Sequence, residues 1–347
     1  MRELIHSATL TVQGVEIRMA SEYSVDIDLL QPADGFQLTV PLDARTVSLI
    51  PLDAEFSFTI DRQPIVTGFV DRLEETADNR LAVAGRCRTG RLVDESVDGA
   101  GFSIARGTRL IDAVWRVLGT WYNRVDISKE NAARPLPHRV KCDPGMVRME
   151  ALDRILEPCR LLSWADGRDA TLTIGQPNYR QKPAFNFVYG GRVANVLAMR
   201  RTRSTENRYR DYEVGGTSGS GNRLGTARDT SGDFLHPKRV YTPREPGSTM
   251  TADEHARRLM AQANASGYEL HVTAAGHGQY QPGESHPTIF QPDTIARCVR
   301  QVRASAIDDT LVTLYDEPAY ITRVTYSASE QGASTAISLV PQHTELV

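Results

Sequence analysis

The sequence has few lysines and no surplus of positive charge. Only four of its 40 basic residues are lysines, and 43 acidic residues give a formal net charge of −3. The arginine bias is explained by genome base composition at least as well as by function. Because general nucleic-acid binding depends on a basic surface, these numbers disfavour it.

Cysteine pairs and long apolar runs are also absent. The four cysteines stand far apart, which excludes a C-x-x-C zinc or redox motif and predicts buried, reduced thiols: Cys87, Cys142, Cys159 and Cys298. No window approaches the ~20 apolar residues that span a bilayer, and residues 1–6 lack the apolar stretch of a secretion signal. We therefore expect folding in a cytoplasm, without direct membrane insertion.

The common catalytic motifs are missing as well. The run Gly216–Thr217–Ser218–Gly219 lacks the G-x-S-x-G spacing of a hydrolase elbow and the Gly-Lys-Ser/Thr ending of a phosphate-binding loop. We interpret residues 215–235 as a mobile loop, because glycine and small polar residues dominate them.

The histidines show no H-E-x-x-H pair, and we predict no metal and no cofactor. A metal or anion site in the loop 271–286 stays open, beside the interpretation of its histidines as solvated loop residues: His271, His277 and His286.

Two groups of carboxylates leave a glycosidase-like acid–base pair open. The first is Asp71 with Glu74 and Glu75, and the second is Asp308–Asp309 with Asp316–Glu317. Both groups fall in predicted turns, where charged residues are expected to be solvated. We therefore predict no catalytic residue.

The first 98 residues have the alternating pattern of half-buried strands, for example at 36–40 and 55–60. Residues 81–87 are predicted to pair with 69–73 as a hairpin around the polar turn near 77–80. A small antiparallel barrel or sandwich results, while an open sheet completed by a neighbouring chain fits the pattern equally well.

Residues 99–182 are predicted to form a small α+β domain. A helix over 108–118 places an apolar stripe on one face, formed by Leu110, Ile111, Val114, Trp115 and Leu118. A second helix is predicted after the turn 143–145, and its apolar stripe is formed by Met149, Leu152, Ile155 and Leu156. A hairpin follows, with strands 161–165 and 170–175 around an Asp-Gly turn. Trp115 and Trp164 are interpreted as core residues.

From residue 183 the strand pattern returns and continues to residue 347. A strand is predicted over 193–201, and a helix over 252–266, capped by Thr251 and ended by Gly267. The predicted fold class is α+β, mainly β, with two antiparallel β-barrel domains at 1–98 and 183–347 and the α+β domain inserted at 99–182.

Three short motifs occur in order in the first domain: Gly68-Phe69-Val70-Asp71, Val83-Ala84-Gly85-Arg86 and Leu92-Val93-Asp94. Together with the Asp-Gly hairpin, the segment 193–197 around Asn195 and the strand 319–324, they resemble the baseplate hub proteins of Mu-like contractile-tailed phages. The polar run 215–235 departs from that family. The resemblance assigns structural motif roles to Gly68, Asp71, Gly85, Asp94 and Asn195.

The resemblance implies two tail-tube-like barrels per chain and a homotrimer that adapts a sixfold tail tube to a threefold central spike. It further implies contacts with baseplate wedge proteins and the tape-measure protein, with DNA only as passing cargo. The protein would then reside in the virion. Another tube or spike-associated subunit, and a carbohydrate-active enzyme, remain alternatives.

Overall fold

The computed structural model describes residues 7–18, 22–97, 100–166, 171–218, 221–230, 237–243, 251–280, 287–305 and 309–342. Its strands are β1 Ala8–Val12, β2 Val15–Arg18, β3 Glu22–Asp28, β4 Gly35–Pro41, β5 Glu55–Ile60, β6 Gln63–Thr76, β7 Arg80–Cys87, β8 Phe102–Ile104, β9 Arg124–Ile127, β10 Val140–Cys142, β11 Leu162–Asp166, β12 Thr171–Gly175, β13 Phe185–Tyr189, β14 Ala198–Arg203, β15 Asp211–Ser218, β16 Gly221–Arg228, β17 Arg239–Pro243, β18 Tyr268–Ala275, β19 Gly278–Gln279, β20 Thr288–Ile289, β21 Thr294–Arg303, β22 Leu311–Ser329 and β23 Gly332–Pro341.

The helices of the described residues are fewer than the strands. They are α1 Ala44–Leu49, α2 Thr89–Asp94, α3 Leu110–Leu118, α4 Lys129–Ala133, α5 Arg148–Leu156 and α6 Ala252–Ser266, with a 3-10 turn at Glu157–Cys159. Strands dominate and pair mostly antiparallel, which confirms the predicted fold class.

One 13-stranded sheet joins the beginning and the end of the chain. Its path runs β14-β18-β23-β22-β3-β4-β7-β6-β5-β1-β2, and β21 attaches β13 to β22. The two regions meet where β3 pairs antiparallel with β22, from Tyr23 opposite Ala328 to Asp28 opposite Arg323. A single apolar core covers both regions, from Leu10 and Phe58 to Ile321 and Leu339. The division into two barrels at residues 98 and 182 stays a prediction.

The middle of the chain has its own core. Residues of α3 and α5 pack together with Leu92, Leu172 and Ile174, all nearly fully buried. The predicted hairpin is confirmed in its strands, because β11 and β12 pair antiparallel over five residues. Its turn, 167–169, lies outside the described residues.

Trp115 is a correction to the predicted core. It is 37% exposed, because the buried face of α3 is formed by Leu110, Ala113, Val114, Val117 and Leu118. The buried face is therefore centred on Val114 and Val117, and Trp115 lies at its outer side. Trp164 is partly buried and packs against the small cluster of Leu29, Ile295 and Tyr320.

The interpretation of residues 215–235 as a mobile loop is wrong for most of the run. β15 and β16 pair antiparallel from Asp211 opposite Arg228 to Ser218 opposite Gly221, with α6 packed on one face. A Cβ at Gly225 would lie 2.0 Å from the backbone carbon of Ala252. Glycine there permits close packing and does not signal mobility. Residues 219–220 and 231–235 lie outside the described residues.

Helix α6 begins and ends where predicted. The Thr251 hydroxyl accepts a hydrogen bond from the Glu254 backbone, and the Glu254 side chain accepts one from the Thr251 backbone, which is a capping box. All four cysteines are buried and unpaired, as predicted. None of the helices within the described ranges is long and apolar enough to cross a membrane.

Candidate functional site

Four of the five motif residues lie at the junction of β6, β7 and α2. β6 pairs with β7 from Gly68 opposite Cys87, and the register shifts between Val70 and Arg72, so that Asp71 occupies a β-bulge. A Cβ at Gly68 would lie 1.9 Å from the carbonyl oxygen of Arg86. Glycine is therefore required where the two strands approach.

Gly85 faces the same constraint on the neighbouring strand. A Cβ there would lie 2.5 Å from the carbonyl oxygen of Phe69 and 2.6 Å from Cε1 of Phe36. Phe36 in turn packs on Phe56, with ring centroids 4.2 Å apart. The absence of a side chain at Gly85 lets this aromatic core close against the bulge.

Arg86 connects the remaining motif residues. Its Nε donates to Oδ2 of Asp71 at 2.7 Å, while Nη1 and Nη2 donate to the two carboxylate oxygens of Asp94 at 3.2 and 2.6 Å. These hydrogen bonds lower the pKa of Asp94 and raise that of Arg86. One guanidinium thus links the bulge to α2, in the fork geometry that suits arginine.

A cluster of arginine and aromatic side chains lies beside this network. Arg91 stacks over Phe69 and over Trp121, at 4.6 and 5.8 Å from the ring centroids, and Arg88 also covers Phe69. The Trp121 indole donates to Glu95, which is also bound by Arg148. The cluster attaches the α+β region to the first strands. Sequence reasoning missed it, although Arg88 and Arg91 stand three residues apart, a spacing that places them on one helical face.

Asn195 lies apart from the other motif residues, near the start of the last β region. Its Oδ1 accepts from the Val188 backbone at 2.8 Å, and its Nδ2 donates to the carbonyl of Asn186 at 2.7 Å. The side chain therefore occupies backbone groups that a neighbouring strand would use. The strand predicted over 193–201 is therefore wrong for residues 193–197 and confirmed from Ala198, where β14 begins.

Five of the seven carboxylates proposed for an acid–base pair lie in strands, not in turns, which corrects the prediction for those five. Asp71, Glu74 and Glu75 belong to β6, where Asp71 is held by Arg86 and Glu74 contacts Arg72. Glu74 and Glu75 are consecutive in the strand and point to opposite faces.

The second group is also dispersed. Asp316 and Glu317 belong to β22, and they are bound by Arg297 at 2.5 Å and by Arg201 at 3.3 Å respectively. Asp309 pairs with Arg303 at 3.1 Å, and Asp308 lies outside the described residues. Each of these three carboxylates therefore has an arginine partner of its own.

The two described histidines of the segment 271–286 lie in different surroundings and do not form one site. His271 is exposed on β18 beside Glu269, whereas His277 is fully buried and hydrogen-bonded to Tyr23 and Thr335. The expectation of solvated loop histidines is therefore wrong for His277. His286 lies outside the described residues, and the rest of the described chain shows no group of three or more potential metal ligands.

A cavity of about 380 Å³ lies where the main sheet meets β11 and β12. Its lining includes Asp28, Asp34, Trp164, Gln181 and Asp293. Burial raises the pKa of Asp34 to about 7, although the Asp28 backbone donates to its carboxylate at 3.0 Å. Beneath it, burial raises the pKa of the Cys87 thiol, which contacts the Thr89 hydroxyl at 2.7 Å.

Comparison with known proteins gives one family match and several matches of fold. Residues 7–87 match the family model described as Mu phage baseplate assembly protein GpP-like, N-terminal. No curated protein sequence matches the chain.

Two solved structures share the fold over almost the whole length of both chains. The tail protein from Neisseria meningitidis MC58 has a TM-score of 0.80 and 19% sequence identity, and covers 98% of this chain and 97% of its own. The 43 kDa tail protein of prophage MuSo2 from Shewanella oneidensis has a TM-score of 0.78 and 18% sequence identity, and the match covers 97% of this chain and 98% of that protein.

A more distant match is the E. coli c3393 protein, a type VI secretion system component described as structurally similar to the T4 tail proteins gp27 and gp5. It has a TM-score of 0.53 and 12% identity, and covers 96% of this chain and 76% of its own. At these identities the structural matches show the fold alone. The resemblance to Mu-like baseplate proteins is confirmed, and residues 7–87 carry it in sequence, where they match the GpP-like N-terminal model of Mu phage baseplate assembly proteins.

Proposed function

We propose that the protein is the hub at the centre of a contractile phage tail baseplate. It would act as a homotrimer that joins a sixfold tail tube to a threefold central spike, inside the virion. The observation that carries this proposal is the match to prophage tail proteins over 98% and 97% of the chain, combined with the GpP-like region at residues 7–87.

The order of the elements supports a symmetry adaptor. Strands β1–β7 form one half of the main sheet, and β13, β14, β18 and β21–β23 form the other half. If each half serves as one tube-like unit, three chains supply six units, which matches a sixfold tube above a threefold spike. In this proposal 1–98 and 183–347 are the tube-like domains, and 99–182 is the insert.

The charge of the chain suits a channel that DNA crosses. A formal net charge of −3 provides no surplus of positive charge to hold phosphates, and retention of DNA by a protein surface depends on such charge. DNA is therefore proposed as passing cargo, and the tape-measure protein as an earlier occupant of the channel.

The alternatives find less support in the geometry. A carbohydrate-active enzyme needs two carboxylates that face one sugar, yet Asp71 is held by Arg86, and Asp316 by Arg297. Turnover of cell-wall glycans that disappears on Asp71→Asn or Glu75→Gln would favour that alternative. A tail tube subunit would share the fold but assemble with the sixfold symmetry of the tube instead of as a trimer.

The proposal is tested with the purified full chain. We expect light scattering to give three times the mass of one chain, and co-expression with the spike protein of the same tail to yield a complex that co-purifies through size exclusion. A monomer that does not bind the spike contradicts the proposal.

A further inference from the structure

The described side chains that line the cavity between the main sheet and the β11–β12 hairpin include acids and no bases. Three carboxylates line it: Asp28 at the end of β3, Asp34 before β4 and Asp293 before β21. Among the described lining residues there is no arginine, lysine or histidine. The volume of about 380 Å³ lies in the range of small-ligand sites. The cavity therefore has the size and the charge to hold a small cation.

Asp34 is the most buried of the three carboxylates, with 7% of its surface exposed. Its Oδ1 accepts a hydrogen bond from the Asp28 backbone at 3.0 Å, whereas its Oδ2 accepts none from the described residues. Buried charged groups are normally paired, because an unpaired charge away from water is costly. Oδ2 of Asp34 is therefore an acceptor that a ligand can use.

Asp293 has the same arrangement. Its Oδ1 accepts from the Tyr320 hydroxyl at 2.6 Å and from the Asn178 backbone at 3.0 Å, while its Oδ2 accepts no hydrogen bond within the described ranges. The Gln181 amide donates to the Asp293 carbonyl at 2.8 Å, which fixes the amide and leaves its oxygen as a further acceptor. These acceptors are thus held in place before a ligand binds.

Two hydroxyl donors of the lining are already used inside the protein. The Thr294 hydroxyl donates to the Gln291 carbonyl at 2.6 Å, and the Tyr326 hydroxyl donates to the carbonyl of Phe290. A ligand therefore meets the oxygens of these two hydroxyls as acceptors and not their protons.

A neighbouring guanidinium offsets only part of the acidic charge. Arg323 lies outside the lining, donates two hydrogen bonds to Asp26 and reaches Asp28 only at 3.9 Å. Asp34 and Asp293 form no ion pair with any residue that the structure describes. These two carboxylates are the ones left for a ligand cation.

The lining favours an organic cation over a metal ion. No group of three or more potential metal ligands occurs in the described part of the chain, so the three carboxylates do not converge on one ion. The Trp164 ring, Pro64 and Ile65 line the same cavity and provide apolar contact for methylene groups. An indole ring also attracts an ammonium group.

We propose that this cavity binds a small aliphatic amine. Its ammonium group donates to Oδ2 of Asp34, and its carbon chain lies against Trp164 and Ile65. Asp293 adds a second negative charge that stabilises the cation. An ammonium group provides three N–H donors and one positive charge, which matches the free acceptors of the lining. All of these groups belong to one chain, so the inference does not depend on the proposed hub assembly.

The ligand class is tested by titrating 1,4-diaminobutane into the purified full chain in a calorimeter. The pH is 8, above the pKa of about 7 that burial gives Asp34. We expect saturable binding of one molecule per chain. 1,4-Butanediol has the same carbon chain without the charges and should give no saturable heat. The inference is overturned if the amine gives none up to about 10 mM, or if the diol binds as tightly as the amine.

The location of the site is tested with Asp34→Asn, which keeps the Oδ1 acceptor and replaces Oδ2 with an amide. We expect this variant to bind the amine at least about tenfold more weakly, with unchanged circular dichroism. Glu330→Gln is the matched control, because Glu330 is exposed at the β22–β23 turn and the variant also loses one negative charge. The control should bind within about twofold of the wild type. If both variants bind the amine equally, the inference is overturned.

Asp293→Asn keeps the test decisive if Asp34→Asn does not fold. Its Oδ1 can still accept from Tyr320 and Asn178, so only the oxygen without a hydrogen bond is changed. We expect amine binding about fivefold weaker than in the wild type. Binding as tight as in Glu330→Gln contradicts a site in this cavity.

Discussion

Tyr23 donates a hydrogen bond to Nε2 of His277 at 2.6 Å, although 254 residues separate them in the chain. Nδ1 of the same ring contacts the Thr335 hydroxyl at 2.9 Å, and that hydroxyl donates to the carbonyl of Gly276 at 2.6 Å. Because the Thr335 proton is used there, Nδ1 of His277 is the donor and Nε2 the acceptor for Tyr23. A buried polar chain thus joins the first and last β regions.

Tyr23→Phe is predicted to destabilise the protein by about 1–3 kcal/mol, because the buried Nε2 of His277 loses its donor. The measurement is the urea midpoint at fixed protein concentration. Tyr280→Phe serves as the control, since Tyr280 is 54% exposed and its variant should stay within about 0.5 kcal/mol of the wild type. Equal midpoints for both variants would show that the polar chain contributes no stability.

Gly68→Ala is predicted to cost more than about 2 kcal/mol, because its Cβ would overlap the Arg86 carbonyl and the strands cannot separate without breaking the bulge. Gly35→Ala is the control in β4, on the other side of β7, where the nearest atom to the new Cβ would be at 3.7 Å. We expect chemical denaturation to leave this control near the wild type. If Gly68→Ala and Gly35→Ala have the same stability, the backbones of β6 and β7 are not in close contact at Gly68.

Arg86→Met is predicted to destabilise the protein near pH 7 more than near pH 3. The pKa of Asp94 is lowered in the folded state by its hydrogen bonds to Arg86, so this contribution is present above the unfolded pKa of ~3.9 and is lost as the pH falls through the folded value. Since Asp94 is about half exposed, the effect should be modest, about 1 kcal/mol. The measurement is the urea midpoint of the wild type and of Arg86→Met between pH 3 and pH 7. A difference between the two midpoints that stays the same across this range would contradict the prediction.

Asp34→Asn is predicted to flatten the dependence of stability on pH between 5 and 8. Burial raises the folded pKa of Asp34 to about 7, so between the unfolded value of ~3.9 and 7 the folded state binds more protons, and stability falls as the pH rises. Asparagine can still accept the hydrogen bond from Asp28. The wild type should therefore lose about 1–3 kcal/mol relative to the variant between pH 5 and pH 8. Parallel pH profiles would show that Asp34 ionises normally.

Local pattern predicted the elements whose signals lie close together in sequence. The capping box at Thr251 and Glu254 and the pairing of β6 with β7 depend on neighbouring residues, and both are confirmed. The prediction for 215–235 was wrong because it relied on glycine content. Composition alone does not distinguish a glycine in a flexible segment from a glycine that allows close packing, and Gly225 is of the second kind, since it packs against the start of α6.

Local sequence pattern could not predict the contacts between segments that are distant in the chain. The pairing of β3 with β22 joins residues about 300 positions apart, and the burial of His277 follows from it. The link from Arg86 to Asp71 depends on a bulge that shifts the register by one residue, and a one-residue shift exchanges the faces of a strand. The motif residues were identified from the sequence, but their roles remain a prediction.

The most direct test of the hub proposal is electron cryomicroscopy of the purified full chain viewed along its symmetry axis. The account predicts a ring with threefold symmetry in which six β units, two from each chain, surround an open channel. Particles that are single chains, or rings in which each chain contributes only one β unit to the channel wall, would contradict it.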